Sequence, residues 1–150
     1  MKAFKSQLVT VAFALTSTLM VSVSQAAEAT PSVVIVHGAF ADGSDWAKVV
    51  PYLQAEGVAV TVVQTPLTSL ADDVAATQRV LNNQSGKVVL VGHSWGGTVI
   101  SEAGAHEKVS ALVYVAAFAP DAGQFSGEQG KGAPTPPGIS QIKADGNGFL

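Results

Sequence analysis

The sequence predicts a parallel α/β fold, with a β-sheet that carries helices on both faces. Four short runs rich in valine are typical of strands that are buried on both sides. The segments between these runs repeat apolar residues at the helical spacing i, i+3, i+4, i+7. The resulting order β-α-β-α-β-α-β requires crossover connections, which are right-handed and place helices over both faces of a parallel sheet.

The amino-acid composition excludes several classes of function. The chain has 150 residues, is 47% hydrophobic and 13% charged, and carries 8 basic against 11 acidic residues. A net charge of −3 with Arg79 as its only arginine excludes the dense basic face that nucleic-acid binding needs. The absence of cysteine excludes a disulfide scaffold, a thiolate metal site and a cysteine nucleophile.

The N-terminus has the layout of a secretory signal peptide. Lys2 and Lys5 precede an uncharged, largely apolar run over residues 8–23, and Ser24 and Ala26 place small residues at positions −3 and −1 of a cleavage site. A transmembrane span needs about 20 apolar residues, which is longer than this run. We therefore expect a secreted or periplasmic protein with no stable membrane association.

The first strand and helix follow this segment. Val33–Val36 is a continuous β-branched run and predicts the first strand. The next helix is predicted with Ser44 as its N-cap, an irregular first turn at Pro51 and an end at Gly57. Its apolar face comprises Trp46, Val49, Val50 and Leu53.

The second strand and helix follow the same pattern. Residues 58–63 alternate valine with alanine and threonine, as in a strand. Ser69 is the predicted N-cap of the next helix, because Asp72 and Asp73 then fall in a first turn where the helix dipole favours acids. The helix ends before Gly86, and its inner face comprises Leu70, Val74, Thr77 and Leu81.

The third and fourth strands complete the predicted sheet. Residues 87–91 and 109–117 are apolar runs, separated by a sharp turn and a helix whose shared face comprises Trp95, Val99 and Ala103. Residues 118–150 hold 7 of the 15 glycines and 4 of the 7 prolines, a composition typical of loop. We place the signal peptide at 1–26, the core at 27–117 and the start of a cap or loop region at 118–150.

The strongest chemical signal is Gly-His-Ser-Trp-Gly at 92–96, a G-x-S-x-G motif. It lies between a predicted strand and helix, the context in which a strained turn exposes a nucleophilic serine, here Ser94. Gly92, Gly96 and Gly97 allow the strand and helix to pack closely, while His93 precedes the nucleophile. A glycine-rich phosphate turn is the alternative, but the chain has neither G-x-G-x-x-G nor a P-loop lysine here.

A second signal, His37-Gly38-Ala39, follows the first strand. The first and third strands of such a sheet can be neighbours, so both turns would open on one crevice. The backbone N–H groups of Ala39 and Trp95 would then stabilise the oxyanion of a tetrahedral intermediate. We expect His37 to orient this loop.

The stretch 33–117 resembles the α/β-hydrolase superfamily, and most of all the small-esterase branch with hydroxynitrile lyases, methyl-salicylate-type esterases and bacterial relatives. The matching positions are His37, Gly38, Ala39, Gly43, Trp46, the turn 92–97, and Ala119-Pro120-Asp121. The resemblance implies that Ser94 is the nucleophile, that Ala39 and Trp95 are oxyanion donors, and that no metal or organic cofactor is needed. It covers the front half of a family member, so the catalytic acid and histidine have no matching positions.

Residues within the chain are poor substitutes for the missing base and acid. His93 precedes the serine, and adjacent strand residues point to opposite faces. His106 lies beyond the helix that follows the turn, and His37 belongs to the oxyanion loop. Asp121 matches a Pro-Asp that is not catalytic in the closest branch, and we expect a loop role for it.

These observations predict an exported serine esterase acting on small-molecule carboxylic esters, with no nucleic-acid partner. A haloperoxidase-like or lyase relative would share the serine turn. A catalytically inactive fragment or ligand-binding remnant is the alternative from another class, because the acid and the histidine of the triad are missing. The fourth strand, with Leu112, Val113 and Val115, is expected to leave an apolar edge open to self-association. We expect little esterase activity from the 150 residues alone.

Export is directly testable. We expect the mature protein to begin at Ala27, because the basic start, apolar run and small −3 and −1 residues direct cleavage after Ala26. N-terminal sequencing of protein from the periplasmic or extracellular fraction checks this. Recovery of the intact Met1 terminus from a cytosolic pool would contradict it.

Overall fold

Four parallel strands form one sheet in the computed structural model, which describes residues 30–148. The signal peptide predicted at 1–26 lies outside the described residues. The spatial order is β2-β1-β3-β4, with strands at Ser32–Val36 (β1), Val60–Val63 (β2), Val88–His93 (β3) and Val109–Val115 (β4). The predicted parallel sheet is confirmed, and β1 and β3 are neighbours, with Val36 beside Gly92.

Three α-helices connect the strands, at Val50–Ala55 (α1), Leu70–Asn82 (α2) and Trp95–Ala103 (α3). Strand β2 lies on one side of β1, whereas β3 and β4 lie on its other side. The crossover from β1 to β2 therefore runs in the opposite direction to the crossovers from β2 to β3 and from β3 to β4. With right-handed crossovers, α1 therefore covers one face while α2 and α3 share the other. The contact between α2 and α3 fits this arrangement.

The main core lies between the sheet and the pair α2 and α3. Alternate residues of a strand point to opposite faces, so Val34 and Val36 face these helices while Ile35 faces away, and all three are buried. The helices contribute Leu81, Val99 and Ile100, among others. Removal of this apolar surface from water is the main stabilisation of such a domain.

The N-cap predicted at Ser44 is wrong, whereas the irregular first turn expected before the helix is present. The chain first forms a 3-10 turn at Gly43–Trp46, whose N-cap is Asp42 and not Ser44: the Asp42 carboxylate accepts the Ser44 N–H at 2.7 Å. Hydrogen bonds from the Ser44 side chain and backbone lower the pKa of Asp42. The α-helix begins only at Val50, because Pro51 lacks an N–H and fits a first helical turn.

Helix α2 begins at the predicted cap. The Ser69 hydroxyl accepts the Asp72 N–H at 3.1 Å and donates to the Asp72 carboxylate at 2.7 Å. The Thr68 hydroxyl donates to the same carboxylate at 2.8 Å. The bond from Ser69 first, and then that from Thr68, lowers the pKa of the Asp72 carboxyl. The Ser69 hydroxyl also satisfies the Asp72 N–H, which has no partner inside the helix.

The described residues after β4 form two 3-10 turns, at Ser126–Gly130 and Ile139–Gln141. The first turn contacts α3, where the hydroxyls of Thr98 and Ser126 lie 2.7 Å apart in a buried position. Over residues 30–148, no helix has the length and apolar character needed to cross a membrane.

Strand β4 pairs with β3 alone within the described part of the chain. Three of its apolar side chains are exposed, including Val113 at 41% and Val115 at 39%. An apolar edge strand with unpaired backbone groups favours pairing with another chain. Self-association through β4 stays a prediction.

The substitution Val113→Lys tests self-association at this edge. We expect it to shift the 150-residue chain from oligomer toward monomer, because a charge on an edge strand opposes edge-to-edge pairing. Size-exclusion chromatography with light scattering measures the mass. Val49→Lys is the matched control, since Val49 is 40% exposed but lies before α1. A monomeric parent chain, or equal effects of both substitutions, would contradict the prediction.

Candidate active site

Ser94 lies on the turn between β3 and α3 in a backbone conformation that residues other than glycine rarely adopt. Its φ is 51° and its ψ is −119°, which costs on the order of 1–3 kcal/mol for a residue other than glycine. The Ser94 carbonyl accepts the N–H of Gly97 at 3.0 Å and that of Phe118 at 3.2 Å. These two bonds hold the strained turn at the carboxyl end of the sheet.

Two glycines allow the backbone segments around this turn to approach closely. A Cβ added at Gly92 would lie 2.5 Å from the carbonyl oxygen of Gly96. A Cβ added at Gly96 would lie 2.5 Å from the carbonyl oxygen of Val36, at the end of β1. Real Cβ atoms do not approach backbone oxygens so closely, so the packing of α3 against β1 and β3 requires glycine at both positions.

The turn after β1 lies directly beside the serine. A Cβ at Gly38 would be only 3.0 Å from the Cβ of Ser94. The structure thus brings together the two motifs that the sequence marked. The backbone N–H groups of Ala39 and Trp95 donate to no other group in residues 30–148, so both are open to a ligand. Whether they bind an oxyanion stays a prediction.

His37 connects this turn to the end of β2. Its ring is fully buried, and its Nε2 accepts the backbone N–H of Thr65 at 3.1 Å. Since a backbone N–H can only donate, the neutral ring carries its proton on Nδ1, which donates to the Gly38 carbonyl at 2.8 Å. His37 therefore has no nitrogen left to accept a proton from Ser94, and its bonds suit the expected orienting role.

Of the other two histidines, one lies beside the serine turn and one at the far end of the sheet. His93 is the last residue of β3, and its ring meets the Trp46 ring edge-on with centroids 6.3 Å apart. His106 lies at the opposite end of the sheet, with its Nε2 3.0 Å from the side-chain oxygen of Asn82. Neither forms a hydrogen bond with Ser94 in the described structure.

Asp121 forms a local turn with Gln124 after β4. The side-chain amide of Gln124 donates to the Asp121 carboxylate at 3.1 Å, and the Asp121 N–H donates back to the Gln124 side-chain oxygen at 3.1 Å. The carboxylate is therefore engaged within its own loop, as a loop role requires.

A cavity of about 750 Å³ opens beside the predicted oxyanion donors. Its wall combines apolar side chains with three carboxylates, and it is lined by residues 39–42, Asp45, residues 67–70, Asp73, Trp95 and Gly148. Two lining residues other than glycine, Phe40 and Leu67, have positive φ values of 65° and 58°. Strained backbone of this kind clusters at functional sites.

Sequence reasoning missed one polar contact in this wall. Asp73 was predicted only as an acid in the first turn of α2. In the structure its side chain is buried, and one carboxylate oxygen accepts the indole N–H of Trp95 while the other accepts the Leu67 N–H, both at 2.8 Å. The available signal was spacing, because position 73 is three residues after Leu70 and four before Thr77, on the inner face.

Comparison with known proteins identifies relatives. The model of the Alpha/beta hydrolase family matches residues 33–147. Salicylic acid-binding protein 2 of Nicotiana tabacum is 35% identical over 59% of this chain and 40% of its own length. The chain thus spans about two fifths of that curated relative.

Two solved structures are also similar to this chain. A pyrethroid hydrolase from Sphingobium faniae JZ-2 is 28% identical with a TM-score of 0.52, over 59% of this chain and 40% of that one. An extracellular alpha/beta-hydrolase from a Paenibacillus species shares the fold at 22% identity and a TM-score of 0.57, over 61% and 42% of the two chains.

The close approach at Gly96 is testable by substitution. We expect Gly96→Ala to lower the free energy of unfolding by about 1–3 kcal/mol, since the new methyl group would meet the backbone of β1. Gly86→Ala is the control, because a Cβ there meets no atom within 4 Å, and its effect should stay below about 1 kcal/mol. Urea unfolding followed by circular dichroism measures both. Equal stability of the two variants would contradict the packing described.

Proposed function

The chain belongs to the alpha/beta hydrolase family, and we propose that it acts as a serine hydrolase on small carboxylic esters through an acyl-enzyme at Ser94. The observation that carries the proposal is the strained Ser94 beside two backbone N–H groups, of Ala39 and Trp95, that have no partner in the described structure. The relatives agree with this reaction class, since one of them is a pyrethroid hydrolase.

In the proposed reaction, the Ser94 oxygen attacks the ester carbonyl carbon while a histidine takes the hydroxyl proton. The N–H groups of Ala39 and Trp95 donate to the oxygen that becomes negative, and they are already oriented before the charge develops. The start of α3 adds the positive end of its helix dipole. Collapse of the intermediate releases the alcohol with the proton from the histidine, and water then releases the acid.

We assign the general base of this reaction to a histidine other than His37, His93 and His106. His37 is committed to Thr65 and Gly38, and His106 contacts Asn82 at the far end of the sheet. His93 ends β3 next to the serine in sequence but forms no hydrogen bond with it within residues 30–148. We therefore propose that another part of the native protein supplies both the histidine and its acid.

The cavity supports a small substrate with an apolar part. Phe40 and Leu67 offer apolar contact beside the oxyanion donors, within a volume of about 750 Å³. We further propose that the protein works outside the cytoplasm, after removal of the signal peptide. A ligand-binding protein without turnover is the second candidate, because no histidine in the described residues forms a hydrogen bond with the Ser94 side chain.

Substitution of the nucleophile separates these functions. We expect Ser94→Ala to abolish turnover of short p-nitrophenyl esters by the native protein, and a fluorophosphonate probe to label Ser94 alone. Ser85→Ala is the control, since this serine is exposed in the turn after α2. Hydrolysis rates and mass spectrometry of the labelled peptides measure both effects.

Each other outcome has a clear meaning. Turnover that survives Ser94→Ala, or labelling of a different serine, would overturn the assignment of the nucleophile. Ester binding without turnover by the native protein would favour the binding function instead. The 150 residues alone should show only the residual catalysis left without a triad member, roughly 10³–10⁴-fold over water, which ordinary assays do not detect.

A further inference from the structure

We propose that Asp73 is a positioning residue that holds the oxyanion donor Trp95 in place, an inference that rests on the proposed function. Asp73 belongs to α2 and is not adjacent in sequence to the turn after β1 or to the turn at Ser94. It nevertheless bonds the side chain of the residue whose backbone N–H is the predicted donor.

Both carboxylate oxygens of Asp73 act as hydrogen-bond acceptors in a buried position. The side chain is 1% exposed, and its two oxygens accept from two different groups, the indole N–H of Trp95 and the backbone N–H of Leu67. Both partners can only donate, so the side chain between them must accept twice. An asparagine would offer one oxygen and would turn its NH₂ group toward the other donor, leaving a buried N–H unsatisfied.

The position of Trp95 depends strongly on its bond to Asp73. It is the first residue of α3, directly after the strained Ser94, so no preceding helical turn restrains it. Its backbone N–H and its indole belong to the same residue, and a rotation that relaxes the turn would displace both. A bond at the indole therefore opposes movement of the donor, which an oxyanion requires to be oriented in advance.

The second bond extends the same restraint to the cavity wall. Leu67 has a φ of 58° and lies in the loop between β2 and α2. Its N–H bond to Asp73 stabilises this strained backbone. Asp73 thus joins three segments, the start of α2, the loop before it and the start of α3, around one side of the cavity.

A double-mutant cycle in the native protein tests this role. We expect Asp73→Asn and Trp95→Phe each to lower kcat about tenfold or more, less than the roughly 10²–10³-fold loss on removing an oxyanion donor. KM should change by less than about twofold, because the effect falls on the transition state. The double variant should lose less than the product of the two single losses, since both single variants weaken the bond between Asp73 and Trp95.

Backbone amide exchange of Gly97 gives a second measurement that does not depend on turnover, because the Gly97 N–H donates to the Ser94 carbonyl across the same turn. In Asp73→Asn this amide should exchange faster while the core amides of β3 keep their protection. Asp72→Asn is the matched control: it removes a neighbouring carboxylate of the same helical turn, which within residues 30–148 bonds only Thr68 and Ser69. It should leave kcat and the exchange of Gly97 unchanged.

The outcomes separate this inference from the proposed function. Loss of turnover in Ser94→Ala with normal kcat and exchange in Asp73→Asn would overturn the role of Asp73 alone. Additive losses in the double variant would also overturn it. If Asp73→Asn fails to fold, Trp95→Phe decides, because it leaves Asp73 in place and keeps an aromatic side chain while it removes the indole N–H together with its five-membered ring. Turnover that survives Ser94→Ala would refute the proposed function, and the amide exchange would still decide whether Asp73 restrains Trp95.

Discussion

The candidate site depends on how closely the first turn of α3 approaches the ends of β1 and β3. Gly96 lies against the Val36 carbonyl, and Gly92 lies against Gly96, at distances that leave no room for a side chain. Because the helix begins so near the strand ends, the chain has only one residue, Ser94, in which to turn. That residue has a strained φ of 51°, and the packing of α3 on both strands offsets the free-energy cost of this strain.

Two buried polar side chains fix the turns around this serine. His37 receives an N–H from Thr65 and donates to Gly38, and Asp73 receives N–H groups from Leu67 and Trp95. A buried polar group that lost a partner would be costly, so each of these groups specifies one arrangement of its neighbours. These bonds hold the turn after β1, the loop before α2 and the start of α3 in one arrangement.

Much of the fold followed from local sequence, and the exceptions have physical causes. The valine runs, the Ser69 cap and the glycine-serine turn act through neighbouring residues, so their positions matched the expectation. The helical face predicted from Trp46 is divided between a 3-10 turn and α1, because Pro51 lacks an N–H and lies in the first turn of α1. The cap moved to Asp42 because its carboxylate reaches the Ser44 N–H.

The sequence by itself determined the strand order along the chain, the parallel sheet and the residues of the two turns, because periodicity, glycine and the serine motif are local properties. The tertiary structure alone decided which distant partners complete the site: Thr65 lies 28 residues from His37, and Asp73 lies 22 residues from Trp95. Such bonds arise only when the strands align, since no local pattern couples a carboxylate in one helix to an indole in the next.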